Sequence, residues 1–176
     1  ICLAKAIGGG VSVAATGGTA EVMKHVANGD YEMVGTFNGN PLAMAATRAM
    51  LYEVATPEAY RQIELLRRRA TEGAEEAIAR NRLAARVVSV GAKGCIVFTD
   101  EPVRDFRGFL AIDDSYSHAH WLFQHNGGVF LPPWGKAEQW LISVQHDSAD
   151  IDRFNGNVAR FAASIAEVGE VLDSAE

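Results

Sequence analysis

A lysine set between a short apolar run and three glycines, Ile1-Cys2-Leu3-Ala4-Lys5-Ala6-Ile7-Gly8-Gly9-Gly10, carries what amine chemistry on an aldehyde requires. A free lysine amine is protonated at neutral pH and attacks poorly until burial or a nearby cation lowers its pKa. The apolar run is expected to supply that burial, and the glycines to leave room for a planar group. Further along, Gly35-Thr36-Phe37-Asn38-Gly39-Asn40-Pro41 leads into an alanine-rich helix. A hydroxyl and backbone N–H groups just ahead of a helix suit the oxygens of a phosphate. Together the two segments point to pyridoxal phosphate. Each also has a plainer reading: a lysine at a strand end pointing to water, and a threonine that only orders its turn.

The elements that must position these residues follow from local signals. Ile1 to Ala4 and Val11 to Ala15 read as two short strands, with Thr16-Gly17-Gly18-Thr19 as a turn. Thr19 caps a helix from Ala20 to Val26 that stops at Asn28-Gly29. Asn40 and Pro41 form a cap and first turn for a thin helix from Leu42 to about Val54. Thr56-Pro57 repeats that signal and starts a long helix to about Arg80, with Tyr60, Ile63, Leu66, Ala70, Ala74 and Ala77 on one face. The Ala55-Thr56-Pro57 junction is the expected domain boundary. Beyond it come strands Ala85 to Val90 and Cys95 to Thr99, a helix from Ser115 to about Asn126, and strands Val129 to Leu131 and Trp140 to Val144. A last helix, capped by Asp147, carries the stripe Ile151, Phe154, Val158, Phe161, Ile165 and Val168. The second half is therefore expected to be an α+β domain with a small antiparallel sheet.

Other candidate chemistry is weaker. The glycine run lacks the helix and acidic ribose partner of a dinucleotide fingerprint and the Gly-Lys-Ser/Thr ending of a nucleotide loop. A tight turn and a ligand role both remain open for it. On a helix, His118 and His125 share a face while His120 points about 200° away. No metal site is expected from them, and His25 and His146 are read as structural. Leu131-Pro132-Pro133-Trp134-Gly135, with Lys136, Glu138 and Trp140, forms a stiff aromatic loop that suits either a pocket wall or packing at an interface. Arg67-Arg68-Arg69 beside Glu64, Glu72, Glu75 and Glu76 reads as a solvated face laced with ion pairs.

Composition narrows the function classes. The 176 residues are 48% hydrophobic and 22% charged, with a net charge of −6, so a real core is available. That negative balance argues against nucleic acid or an anionic membrane as partner. No run approaches the roughly 20 apolar residues of a membrane span, and no signal peptide is visible. Cys2 and Cys95 make no redox or metal spacing, which suits a reducing cytoplasm. An apolar start without methionine reads as a piece of a longer chain.

With these segments in order, the chain resembles a class III, fold type I aminotransferase that depends on pyridoxal phosphate. Leu3-Ala4-Lys5-Ala6-Ile7-Gly8-Gly9-Gly10 is similar to the family's lysine motif, and Gly35 through Ala46 to its phosphate loop and following helix. Gly128-Val129-Phe130-Leu131, Ser143-Val144-Gln145-His146 and Ala149-Asp150-Ile151-Asp152 are similar to the glutamate-1-semialdehyde 2,1-aminomutase type. The resemblance implies an α/β remnant of the large cofactor-binding domain over residues 1–55, then an α+β small domain over 56–176 with helices on one side of its sheet. It implies that Lys5 forms the Schiff base and shuttles the proton between substrate and cofactor. Gly35 and Thr36 would bind the cofactor phosphate across a homodimer, from the neighbouring subunit. Glu138 falls where the aminomutase type has a glutamate near the substrate mouth, and the substrates would be small amino donors and acceptors. The family's pyridine-binding acid, first phosphate loop and ring-stacking aromatic all precede the lysine, so this chain alone is expected to bind cofactor weakly and turn over little. The alternative is a non-catalytic folded domain or dimerising fragment whose apolar start and alanine-rich helix expose a sizeable patch.

Overall fold

The structure, a computed structural model, describes residues 1–132, 135–137 and 139–173. The chain divides into two compact units, Ile1–Tyr60 and Arg61–Glu176.

In the first unit, β1 (Cys2–Ala4) pairs antiparallel with β2 (Ala14–Thr16), Leu3 opposite Ala15. Between them lies a 3-10 turn over Lys5–Gly8. The expected strand from Val11 is thus shorter and later, because the Val11 N–H is bonded to the Gly8 carbonyl at 3.0 Å and Val11 belongs to the turn. Helix α1 (Ala20–Ala27) is capped by the Thr19 hydroxyl, which accepts from the Val22 N–H. Helix α2 (Pro41–Ala49) starts where Asn40 Oδ1 accepts from the N–H groups of Leu42 at 2.9 Å and Ala43 at 3.3 Å. It then passes into a π-helical segment, Met50–Val54. Little of this unit's apolar surface is covered. Ala43 is its buried apolar residue, whereas Ile1, Tyr31, Val34, Phe37, Leu42 and Tyr52 are each more than 65% exposed.

The second unit has the core. Helix α3 (Pro57–Arg80) begins at the Thr56 cap, whose hydroxyl accepts from the Ala59 N–H at 3.2 Å. Strands β3 (Arg86–Val90), β4 (Lys93–Val97) and β5 (Gln139–Leu141) form an antiparallel sheet in that order, with Gly94 opposite Trp140. A short helix α4 (Phe106–Leu110), capped by Asp105, was not signalled by any periodicity. Helix α5 (Ser115–Asn126) and the long α6 (Ser148–Asp173) complete the unit. Leu66, Ala70, Ala74 and Ala77 of α3 join Ile96, Trp140, Ile142, Phe154, Val158 and Phe161 in one cluster. The helices lie on one side of the sheet: Ser89 is bonded to Arg67 and Thr71 of α3, while Val88 and Val90 on the other face are 57% and 80% exposed.

Three strand expectations need correction. The strand expected from Cys95 to Thr99 runs Lys93–Val97, because its pairing with β3 already begins at Lys93 opposite Val90. Val129 to Leu131 forms no strand, because the Val129 N–H is held by the Gln124 carbonyl at 2.9 Å as the end of α5 unwinds. The strand from Trp140 ends at Leu141 because the Ser143 N–H is taken by His146 Nδ1 at 3.0 Å in the turn before α6. The arginine run behaves as a solvated face: Arg67 and Arg68 pair with Glu64, and Arg69 pairs with Asp152. Hydrogen bonds from the two guanidinium groups hold the Glu64 carboxyl down at about 2. Among the described residues, no helix is long and apolar enough to cross a membrane.

Candidate functional site

Lys5 is the first residue of the 3-10 turn and has a left-handed backbone, φ 57°. Only glycine adopts that region without strain, so the lysine is held there by its surroundings. The glycines behind it explain how. A methyl group on Gly8 would stand 2.5 Å from Val13 Cγ1, so the turn closes on β2's approach only because Gly8 has no side chain. Gly9 takes φ 57° and packs against Met50 of the π segment. Of the two readings open for the glycine run, the turn is present: it joins two paired strands.

Burial of the lysine does not follow from the apolar run, contrary to expectation. Cys2, Leu3 and Ala4 are exposed, and so is Lys5. The reason is geometric. A two-stranded ribbon has no second layer over it within this unit, so its side chains face outward. Among the described residues the Lys5 amine has no hydrogen-bond or ion-pair partner.

The Thr36 loop is ordered by Asn38, which sequence reasoning missed. Its Nδ2 donates to the Met33 carbonyl at 3.0 Å, and its N–H to the Gly35 carbonyl at 3.0 Å. A side chain on Gly35 would stand 2.9 Å from Asn38 Oδ1, which accounts for the glycine. Thr36 is exposed and its hydroxyl is uncommitted, so it does not serve merely as the brace of its own turn. The first N–H groups of α2 are less available than expected, since Asn40 already accepts from two of them. What the loop offers an anion is therefore the Thr36 hydroxyl and the turn's backbone.

Lys5 and the later part of the loop, Phe37 to Gly39, border one hollow of about 1150 Å³ that Ser12, Thr16 and Thr47 also line, whereas Gly35 and Thr36 do not. Thr47 Oγ1 is buried there without a partner. A helical threonine normally returns its hydroxyl to the carbonyl four residues back, and no sequence signal marks this one. Among the described residues, no carboxylate lines the hollow.

The remaining candidates separate from it. Glu138, with Pro133 and Trp134, lies outside the described residues. His25 pairs with Asp30 at 2.9 Å, and His146 binds Ser143. His120 is buried 3% exposed, and its pKa is pushed down to about 4 by that burial. Among the described residues no group of side chains could hold a metal ion.

A family model described as aminotransferase class-III matches residues 1–141. The glutamate-1-semialdehyde 2,1-aminomutase of Desulfosudis oleivorans is 38% identical over 153 residues, which are 86% of this chain and 36% of that protein. The chain thus spans little more than a third of that relative. Among solved structures, a β-phenylalanine aminotransferase from Variovorax paradoxus superposes with a TM-score of 0.77 at 28% identity, over 93% of this chain and 38% of its own. A glutamate-1-semialdehyde aminomutase from Pseudomonas aeruginosa, solved in complex with PMP, gives 0.78 at 22% identity over 92% and 38%. That last likeness is one of fold.

Proposed function

The chain belongs to the class-III aminotransferase family, and from that premise we propose that it is the C-terminal part of a pyridoxal-phosphate-dependent aminotransferase or aminomutase. Residues 1–55 end its large cofactor-binding domain and residues 56–176 form its small domain. The observation that carries this reading is the hollow bordered by an uncommitted lysine amine and by Phe37, Asn38 and Gly39; Gly35 and Thr36 do not line it, which suits a phosphate site given to the neighbouring subunit of a homodimer. The cavity exceeds the roughly 300–1,000 Å³ of ordinary ligand pockets. These residues fit the aldehyde and phosphate ends of the cofactor.

In that role Lys5 Nζ would hold the aldehyde end of the cofactor, and Gly35 and Thr36 of the neighbouring subunit would hold its phosphate through backbone and hydroxyl donors. When bound, the cofactor supplies an electron sink for carbanion chemistry at an amino-bearing carbon. Released from that linkage, Lys5 Nζ would be the group placed to take a proton from one carbon and return it to another. Keeping the substrate until its amino group stands on a new carbon would make the enzyme an aminomutase, and releasing a keto or aldehyde product would make it an aminotransferase. The substrates are small amino donors and acceptors in a reducing compartment such as the cytoplasm, where both cysteines stay free.

The full site needs more than this chain. Among the described residues no carboxylate lines the hollow to keep a pyridine nitrogen protonated, and the bare apolar surface of the first unit suits a homodimer or further family structure. Amine transfer by the purified chain alone is therefore expected to be negligible. Robust turnover without a complementing N-terminal piece would overturn that expectation. A non-catalytic, dimerising role rests on the same exposed surface, and a strictly monomeric chain in light scattering would count against it.

Thr36→Val tests the phosphate assignment. A lost hydrogen bond to a charged group is worth about 1.5–3 kcal/mol, so half-maximal capture should need at least about tenfold more pyridoxal phosphate. Capture of unphosphorylated pyridoxal should not change. Equal effects on both aldehydes would remove Thr36 from the phosphate site.

A further inference from the structure

Helices α5 and α6 of the second unit enclose a line of polar side chains that the amine chemistry does not use. It starts at His120, which sits against Phe98, Phe154 and Phe161 with ring centres 5.7, 6.4 and 5.4 Å away. His120 Nε2 lies 3.1 Å from Gln124 Nε2. The same Gln124 nitrogen reaches the Phe154 carbonyl at 3.3 Å. A carbonyl oxygen only accepts, so this end of the Gln124 amide is its NH2 group. His120 Nε2 must then accept, which places the imidazole proton on Nδ1, and Nδ1 is buried without a partner.

The other end of the line is equally determined. Gln124 Oε1 accepts from Asn157 Nδ2 at 2.9 Å, and Asn157 Oδ1 accepts from the Arg160 guanidinium. Gln124 and Asn157 are both 0% exposed. The Phe154 carbonyl and the Arg160 guanidinium thus orient two amides and one imidazole between them.

Among the described residues, the groups facing His120 are neutral. Phe98, just beyond β4, and Phe154 and Phe161 of α6 supply rings, and Tyr116 of α5 stacks on Phe98. His125 packs on Trp121 instead, and so does His118. Arg160 is the charge joined to the line, through Asn157. Burial is what lowers the imidazole.

We propose that protonation of His120 reverses both amides and releases Arg160 from Asn157, making the α5–α6 junction an acid-driven switch. A proton on Nε2 would set two donors 3.1 Å apart. Turning the Gln124 amide over gives its oxygen to His120 and withdraws the donor from the Phe154 carbonyl. Gln124 then presents NH2 to Asn157, which turns in the same sense and presents its own NH2 to the guanidinium. A guanidinium has no acceptor, so Arg160 must leave. The Asn157 amide also lies against Gly127, where a side chain would overlap it. Its reversal is felt where α5 ends and the 128–132 stretch begins.

The direction in pH follows. Between about 6.5 and 4 the folded unit binds fewer protons at His120 than the unfolded chain does, so its stability is complete above 6.5 and falls as pH falls through that window.

Nitrogen-detected NMR of the whole chain tests the switch. The expected result is a neutral His120 protonated on Nδ1 at pH 7. Its titration should move the Gln124 and Asn157 side-chain amides with one common midpoint while the helices stay folded. Arg160→Met removes the guanidinium that opposes the reversal, without touching the core, and should raise that midpoint by about one pH unit, a tenfold change. His120→Leu should hold both amides still across the range. The proposal fails if the amides do not follow His120, if the midpoint is the same in Arg160→Met, or if His120 stays neutral until the unit unfolds.

Discussion

A chain that loses covalent capture completely yet gains stability is the expected result of replacing Lys5 by glycine. The gain comes from the backbone. Lys5 has φ 57°, and an L-residue held there costs roughly 1–2 kcal/mol. Glycine removes that cost, and its greater freedom in the unfolded chain returns roughly 0.5–1 kcal/mol of it, leaving the first unit about 1 kcal/mol more stable. The loss is chemical: the other lysines, Lys24, Lys93 and Lys136, do not border the hollow. Borohydride reduction after pyridoxal phosphate treatment, followed by peptide mapping, should find the adduct on Lys5 and none in the variant. Lys5→Ala separates the two effects, since alanine loses the amine and keeps the strain. Strain of this kind persists where surrounding structure imposes it and tends to mark functional positions. Here the imposing features are the closed turn at Gly8 and the Leu3–Ala15 pairing on either side of it. A destabilised Lys5→Gly chain, or an adduct that maps elsewhere, would refute the assignment.

How much of this was legible in the sequence depends on whether the cause is local. Thr19, Asn40, Thr56 and Asp147 all cap helices as read, because a cap is a bond between residues two or three apart. The α6 stripe is buried from Ile151 to Phe161, but Val168 at its end is 58% exposed, since periodicity says which residues share a face and not how far the core extends along it. Strands were less legible. Val129 to Leu131 has strand composition, but pairing needs a partner, and its first N–H is already bonded to Gln124. The environment of Lys5 was misread for the same reason: an apolar run buries a neighbour only where another layer covers it. The His120 line was invisible, because Gln124 and Asn157 are residue types usually found at the surface. Their burial comes from the approach of two helices far apart in sequence.

That dependence on distant partners sets the second large effect, which is expected at Gly94. The residue lies in β4, the central strand of the sheet, where glycine weakens a strand unless something needs the space. Trp140 needs it. A side chain on Gly94 would stand 2.9 Å from Trp140 Nε1 and closer still to Cζ2 and Cε2 of the same ring. The indole is 7% exposed and meets Phe154 edge-on with ring centres 5.2 Å apart, so any retreat disturbs that packing. Gly94→Ala is therefore expected to destabilise the second unit by about 3 kcal/mol or more, the upper end of overpacking effects. The urea midpoint and hydrogen exchange of the β4 amides measure it. Gly91→Ala, in a turn with open space around it and φ 54°, carries only the backbone strain of about 1–2 kcal/mol. Trp140→Leu in the Gly94→Ala background should recover part of the loss, so the two changes together cost less than their sum. Additive effects would mean that the indole does not occupy the space over Gly94, and the reason for a glycine in the central strand would have to be sought on the other face of the sheet.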